Sequence, residues 1–129
     1  VAAELPNVRI TPIPGASALT TLASVCGLPS DRFSFLGFLP QKKRRSAALA
    51  RIASSDDTVF FYESPHRIIR TLHDLVPLLG DRPIVVGREL TKLHETIYRG
   101  TATAVAAQIT AGSVKGEIVV AVAGAAFVS

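Results

Sequence analysis

Two short stretches restrict the fold of this chain more than any other feature. Thr58-Val59-Phe60-Phe61-Tyr62 and Ile118 to Ala123 are nearly unbroken runs of β-branched, aromatic and other apolar residues, without the polar alternation of a half-exposed strand. Strands of this kind are covered on both faces, so helices must pack on both sides of the sheet that holds them. Helical periodicity supplies those layers. Leu19, Leu22, Val25 and Cys26 recur at helical spacing behind a Ser17 cap and before Gly27 and Pro29, predicting a helix over 17–26. Ala48, Leu49, Ile52 and Ala53 form the inner face of a second helix ending near Ser54. In the third, Ser64 caps, Pro65 takes the first helical position, Ile68, Leu72, Leu75 and Leu79 form the stripe, and Gly80 stops it. Pro77 lies within that stripe and is expected to bend or break its last turn.

The remaining segments complete the alternation. Val8 to Ile13, Phe33 to Leu36, Pro83 to Gly87 and Glu95 to Tyr98 read as strands, and Thr101 to Ala111 as an Ala-rich helix. The expected fold class is α/β, a layered α/β/α domain with a mixed, largely buried sheet. With 129 residues there is material for one core, placed over residues 8–129, and residues 1–7 read as the remains of a linker.

Composition removes several classes of function. No apolar run approaches the roughly 20 residues that cross a bilayer, and no basic flank precedes an apolar leader, so a soluble cytoplasmic protein without membrane attachment is expected. A single cysteine, Cys26, excludes a disulfide framework and a thiolate metal cluster; it reads as a small buried hydrophobe, and no metal is expected. The net charge of +4 decides little, but four of the fourteen Lys and Arg residues are consecutive, Lys42, Lys43, Arg44 and Arg45. Such a block can neutralise phosphates, or it can be an ordinary solvated loop. At a helix start it opposes the helix dipole, a cost that an arriving anion would relieve and that an unwound loop explains equally well.

In sheets of this class ligands gather at the carboxyl ends of the strands. Three segments pass from apolar strand to polar turn in that manner. Thr11 to Ser17 contains Gly15, which permits close backbone approach, ahead of a helix with unpaired N–H groups. Phe61-Tyr62-Glu63-Ser64-Pro65-His66-Arg67 carries more ionisable groups than a helix cap requires. Gly87-Arg88-Glu89-Leu90-Thr91-Lys92, running on to His94 and Glu95, offers acid-base groups and phosphate ligands, although Arg88 and Glu89 could equally be a rim ion pair. Lys115-Gly116-Glu117 reads as a loop before the last strand, with Glu117 able to face the same cleft.

Pro12-Ile13-Pro14-Gly15-Ala16-Ser17-Ala18, Gly27 to Phe33, Gly37-Phe38-Leu39-Pro40, Phe61 to Arg67, Arg88 to Lys92 and Gly116-Glu117, taken in this order, resemble the ribosomal RNA small-subunit methyltransferase I family of the tetrapyrrole methylase superfamily. The resemblance implies the C-terminal domain of an S-adenosylmethionine-dependent enzyme that methylates the 2′-oxygen of a cytidine in the decoding region of 16S rRNA. That family also carries an N-terminal domain, whose motifs are not found here, and its cofactor lies between the two. The chain is accordingly expected to hold one wall of the cleft, to be inactive alone, and to have as partners the N-terminal domain, 16S rRNA or the small ribosomal subunit, and a second copy in a homodimer.

By motif, the resemblance places Pro14, Gly15, Ala16, Ser17, Tyr62, Glu63, Glu89, Leu90 and Thr91 around the cofactor, and Lys42 to Arg45 against RNA. Methyl transfer to a ribose hydroxyl needs alignment and removal of a proton. Glu89, Lys92 and His66 are the candidate acid-base groups, in that order, while Arg67 and Arg88 suit phosphate or the developing alkoxide. Two other readings remain open. A tetrapyrrole methylase of the precorrin type would need a wide apolar cleft and no basic block, and a non-catalytic RNA-binding or dimerisation module would retain RNA without cofactor.

Overall fold

A computed structural model of the chain describes residues 18–88, 96–110 and 116–127. Nine elements follow in the order α1 (Ala18–Val25), β1 (Phe33–Phe38), α2 (Arg45–Ser54), β2 (Thr58–Glu63), α3 (Ile68–Leu79), β3 (Ile84–Arg88), β4 (Thr96–Gly100), α4 (Ala102–Thr110) and β5 (Ile118–Val122). The expected strand over 8–13 lies outside the described residues.

One mixed sheet has the order β1-β2-β5-β3-β4. β1 and β2 are parallel and joined through α2, as a parallel pair requires a crossover. β5 enters between β2 and β3 and runs antiparallel to both, and β4 closes the far side antiparallel to β3. The central position of β5 explains its unrelieved apolar sequence, because all five of its residues are buried.

Period-two alternation divides the side chains between two cores. Val59, Phe61, Ile84, Val86, Ile118, Val120 and Val122 meet Ile52 of α2, the Ile68, Leu72, Leu75 and Leu79 stripe of α3, and Val105 and Ile109 of α4. Phe60, Val85, Val119 and Ala121 face the other way, against Leu22 of α1, Cys26 just after it, and Leu28. The architecture is therefore the three-layer α/β/α arrangement with a mixed sheet that the residue pattern predicts, and Cys26 is buried in the smaller core. α1 is tied down from the sheet. The Arg99 guanidinium of β4 donates to the carbonyls of Val25 and Cys26 at 2.6 and 2.7 Å, satisfying acceptors that a helix end leaves unpaired.

Two expectations about α3 need correction. Its regular helix starts at Ile68, because Ser64 to Arg67 form a separate turn in which the Ser64 hydroxyl accepts from the His66 N–H at 3.1 Å. Ser64 therefore closes that turn and does not cap the helix directly; its carbonyl accepts from the N–H groups of Arg67 and Ile68. Pro77 does not break the helix, which continues to Leu79 before Gly80 ends it at a φ of 56°. Its ring sits in the last turn, where the missing N–H costs one bond, to the exposed His73.

A buried polar chain joins β2, α2 and α3. Thr71, fully buried on α3, donates its hydroxyl to Glu63 Oε2 at 2.7 Å and accepts from Arg45 Nη2 at 3.1 Å. The same Arg45 nitrogen meets Asp74 Oδ2 at 3.0 Å, and its Nη1 donates to the Pro40 carbonyl at 3.4 Å. Glu63 Oε1 accepts from the Ser64 N–H at 2.8 Å and from Arg67 Nε at 3.3 Å. Each charge that leaves water here gains an opposite charge and hydrogen bonds, the condition under which burial is tolerated. Thr71→Val keeps the shape and removes the bridge. It should lower unfolding free energy by about 1–3 kcal/mol in a urea titration, as expected when buried polar groups lose a partner; an unchanged midpoint would show that the chain contributes nothing.

The last described residues fold back on the α2–β2 connection. Ala125 N–H donates to the Ser55 carbonyl at 2.7 Å, and a Cβ on Gly124 would lie 1.9 Å from the Asp56 carbonyl oxygen. That neighbour is backbone and cannot swing away. Gly124→Ala should therefore cost about 1–3 kcal/mol, the usual range for overpacking, read as a lower thermal midpoint; a wild-type midpoint would contradict the close approach.

Candidate functional site

The register of the sheet gathers the strand ends that carry the chemistry. Glu63, the last residue of β2, and Arg88, the last residue of β3, both pair with Ile118, the first residue of β5. Their strands are two sheet spacings apart, roughly 9–10 Å. Phe38 at the end of β1 pairs with Tyr62, and Thr96 at the start of β4 pairs with Arg88, so every described strand has an end on this edge. The ends of β2 and β3 thus lie at one edge, while the turn after Ile13 and the residues following Arg88 lie outside the described residues.

The two faces of this edge differ. On the side of α2, α3 and α4 stand Glu63, Ile118 and Arg88, and on the side of α1 stand Tyr62, Val119 and Gly87, in register with one another. Gly87 presents no side chain and is buried, beside the buried Val119 and the half-buried Tyr62 of the same row.

Individual residues divide into three groups. His66 is exposed on the turn after β2, and Arg67 is half-buried with its Nε on Glu63, leaving both at the edge. Arg88 is partly buried, and its Nη2 donates to the Thr96 hydroxyl at 3.2 Å, a bond that aims it along the sheet edge. Lys42, Lys43 and Arg44 are exposed ahead of α2. Arg44 is the N-cap residue, in the left-handed region at a φ of 68° and without a side-chain cap, a strained setting for a residue with a side chain.

Two of the expected ligands prove to be internal. Glu63 is only 2% exposed, and both carboxylate oxygens are engaged within the protein. Arg45, expected among the RNA-facing cations, is 8% exposed and committed to Asp74, Thr71 and Pro40. Tyr62 is half-buried and packs edge-on against Phe35 at 5.0 Å, with Phe38 tilted against it at 5.5 Å. Pro14, Gly15, Ala16 and Ser17, as well as Glu89, Leu90, Thr91 and Lys92, lie outside the described residues, with His94 and Glu95.

Thr71, Asp74 and Arg99 were not singled out by sequence reasoning. For Thr71 a signal existed: it stands three residues after Ile68 and four before Leu75, inside the apolar stripe of α3. Arg99 gave none, since its role depends on the α1 carbonyls 73 and 74 residues away.

Comparison with known proteins places this geometry. Residues 1–106 match the model of the Tetrapyrrole (Corrin/Porphyrin) Methylases. Ribosomal RNA small subunit methyltransferase I of Synechocystis sp. is 45% identical over 121 residues, 92% of this chain and 43% of its own length. Its namesake in Mycobacterium tuberculosis is 47% identical over 122 residues, covering 93% and 42%. The chain thus spans less than half the length of these curated relatives. Among solved structures, the methyltransferase CobJ superposes with a TM-score of 0.66 at 22% identity, covering 96% of this chain and 54% of that one. Uroporphyrin-III C-methyl transferase from Thermus thermophilus, complexed with S-adenyl homocysteine, gives 0.54 at 17% identity, covering 88% and 52%. At these identities the likeness to the solved structures is one of fold. The match over residues 1–106 establishes that the chain belongs to the tetrapyrrole (corrin/porphyrin) methylase family.

Proposed function

We propose that this chain forms the C-terminal half of an S-adenosylmethionine-dependent methyltransferase that modifies the 2′-oxygen of a cytidine in 16S rRNA. The observation that carries the reading is the 45–47% identity, over more than nine-tenths of the chain, to proteins named ribosomal RNA small subunit methyltransferase I. The position of the β2 and β3 ends at one sheet edge supports it, because a transfer site needs acid-base and cationic groups in one place.

Gly87, Val119 and Tyr62 would form this chain's part of the adenosyl site, where an apolar surface next to an aromatic ring suits that group in chemical character. Pro14, Gly15, Ala16 and Ser17, which precede α1 in the sequence, and Glu89, Leu90 and Thr91, which follow β3, would complete the hold on the donor. When bound, S-adenosylmethionine supplies an electrophilic methyl group.

The chain's own residues then have three tasks. Arg88, and Arg67 where its guanidinium is not occupied by Glu63, bind phosphate and hold the ribose in line. Glu89, Lys92 or His66 accepts the hydroxyl proton as the oxygen becomes nucleophilic. The cations steady the alkoxide that develops, a role for which fixed charge in a partly dry cleft is effective. Glu63 supports this arrangement from beneath, since its carboxylate holds Arg67 and the turn that presents His66.

Joined to the N-terminal region of its relatives, the wild-type chain should transfer labelled methyl groups from S-adenosylmethionine to small ribosomal subunits. Arg88→Ala and Lys92→Ala should each reduce that rate by about a hundredfold, the lower end of acid-base and charge-stabilising effects, with far-ultraviolet circular dichroism unchanged. Wild-type rates in both variants would remove the assignment, and transfer to a tetrapyrrole with none to rRNA would replace it. The same protein should sediment as a homodimer across a concentration series; a strictly monomeric profile would count against dimerisation.

A further inference from the structure

Beyond the cofactor edge, a groove runs between β1 and α2 that has no part in the methyl-transfer chemistry. It has a volume of about 320 Å³, at the lower end of the roughly 300–1,000 Å³ typical of small-ligand clefts. Its lining includes Leu36, Phe38, Pro40 and Ala47, together with Arg44 and Arg51, and no acidic side chain among the described lining residues. We infer that this groove seats one unpaired base of an RNA strand, with Phe38 as the stacking platform and Arg44 and Arg51 as ligands for the flanking phosphates. The assignment rests on the reading of the chain as acting on RNA and goes further, naming a single-stranded nucleotide and the residues that grip it.

Three observations support it. Phe38 is 63% exposed, more than any other large apolar side chain described, yet it is not loose. Its ring is braced against Tyr62 at 5.5 Å, and its backbone stays in register with that residue. The strand turns just before it, where Gly37 takes a φ of 65° and the register shifts between Phe35 and Phe38, a device that re-aims a side chain at a strand end. A fixed, water-exposed aromatic face is what successive bases of a single strand stack on.

The two arginines are the second and third observations. Neither guanidinium bonds to another described residue, in contrast to neighbouring Arg45, which is consumed by Asp74 and Thr71. They sit about two helical turns apart along α2, roughly 10 Å, so they reach different phosphates. Lys42 and Lys43 extend the positive track beyond Arg44. A polyanion with flat aromatic units satisfies both the charge and the ring, whereas a purely apolar partner would bury two unpaired guanidinium groups.

Fluorescence anisotropy of the 129-residue chain with a labelled single-stranded oligouridine tests the site. Phe38→Ala and Phe38→Leu should each weaken binding about tenfold, within the range for losing one base–aromatic stack, and Phe38→Trp should restore it. An oligomer with an abasic centre should bind wild type more weakly but the Phe38→Ala variant no differently. Arg44→Ala and Arg51→Ala should each reduce the slope of log affinity against log salt by about 0.7, the value for one single-strand phosphate contact.

Unchanged affinity in Phe38→Ala and Phe38→Leu, with circular dichroism as in wild type, would overturn the assignment. So would a Phe38-dependent change of association state without an effect on RNA, which would give the groove to a second copy. If wild type shows the Phe38 dependence but transfers no methyl group to small subunits once the missing half is supplied, the enzymatic reading falls and the groove stands. Methyl transfer by wild type together with Phe38-independent binding leaves the enzyme and removes the groove.

Discussion

The structure depends on β5 lying between β2 and β3. This strand is antiparallel to both neighbours, so it turns two parallel strands, otherwise adjacent, into the flanks of a third. Its first residue, Ile118, then becomes the spacer that sets Glu63 and Arg88 on either side of one apolar position. Polar strand ends that are 25 residues apart in sequence become neighbours across a single strand. Burial on both faces fixes the register, because a slip of one residue would exchange the two cores of the molecule.

The polar chain through Thr71 carries this order outward. β2 ends in a carboxylate directed into the helix layer, and that carboxylate determines what α2 and the turn after β2 can do. Arg45 is drawn inward through Thr71, whereas Arg44, one residue earlier, is left outside in a left-handed conformation. The four-cation run is therefore split between two environments. One member holds the protein together, and the other three remain on the surface where an anion can reach them. Removing the buried member would disturb the presentation of the exposed ones without altering their charge.

Much of this was legible in the residues. The apolar runs at 58–62 and 118–123 required a covered sheet, the stripe from Ile68 to Leu79 required a packed helix, and the polar ends of β2 and β3 meet at one edge. Insertion of β5 was not legible, since strand order is decided by which pairs of strands fit and leaves no local pattern. The inward direction of Glu63 was hidden for a related reason. In a strand buried on both faces the alternation that separates inside from outside disappears, so Tyr62 and Glu63 looked alike although they lie on opposite faces. Arg45 could not be told from Lys42, Lys43 or Arg44 by composition, and only the buried acceptors, Thr71 and Asp74, distinguish it. The early start expected for α3 came from reading Ser64-Pro65 as a cap, where the same residues close a short turn first.

The irregularity at Gly37 has a second effect. Among the described strands β1 is the outermost on its side, and Phe33, Phe35 and Phe38 leave it unusually apolar for a border. Open borders of that composition invite another chain to add itself as a further strand, the first step toward aggregation. The left-handed glycine and the shift in register interrupt the row of outward backbone groups, so an incoming strand could follow only part of the border. The same kink that turns Phe38 outward thus guards the sheet against unlimited self-addition.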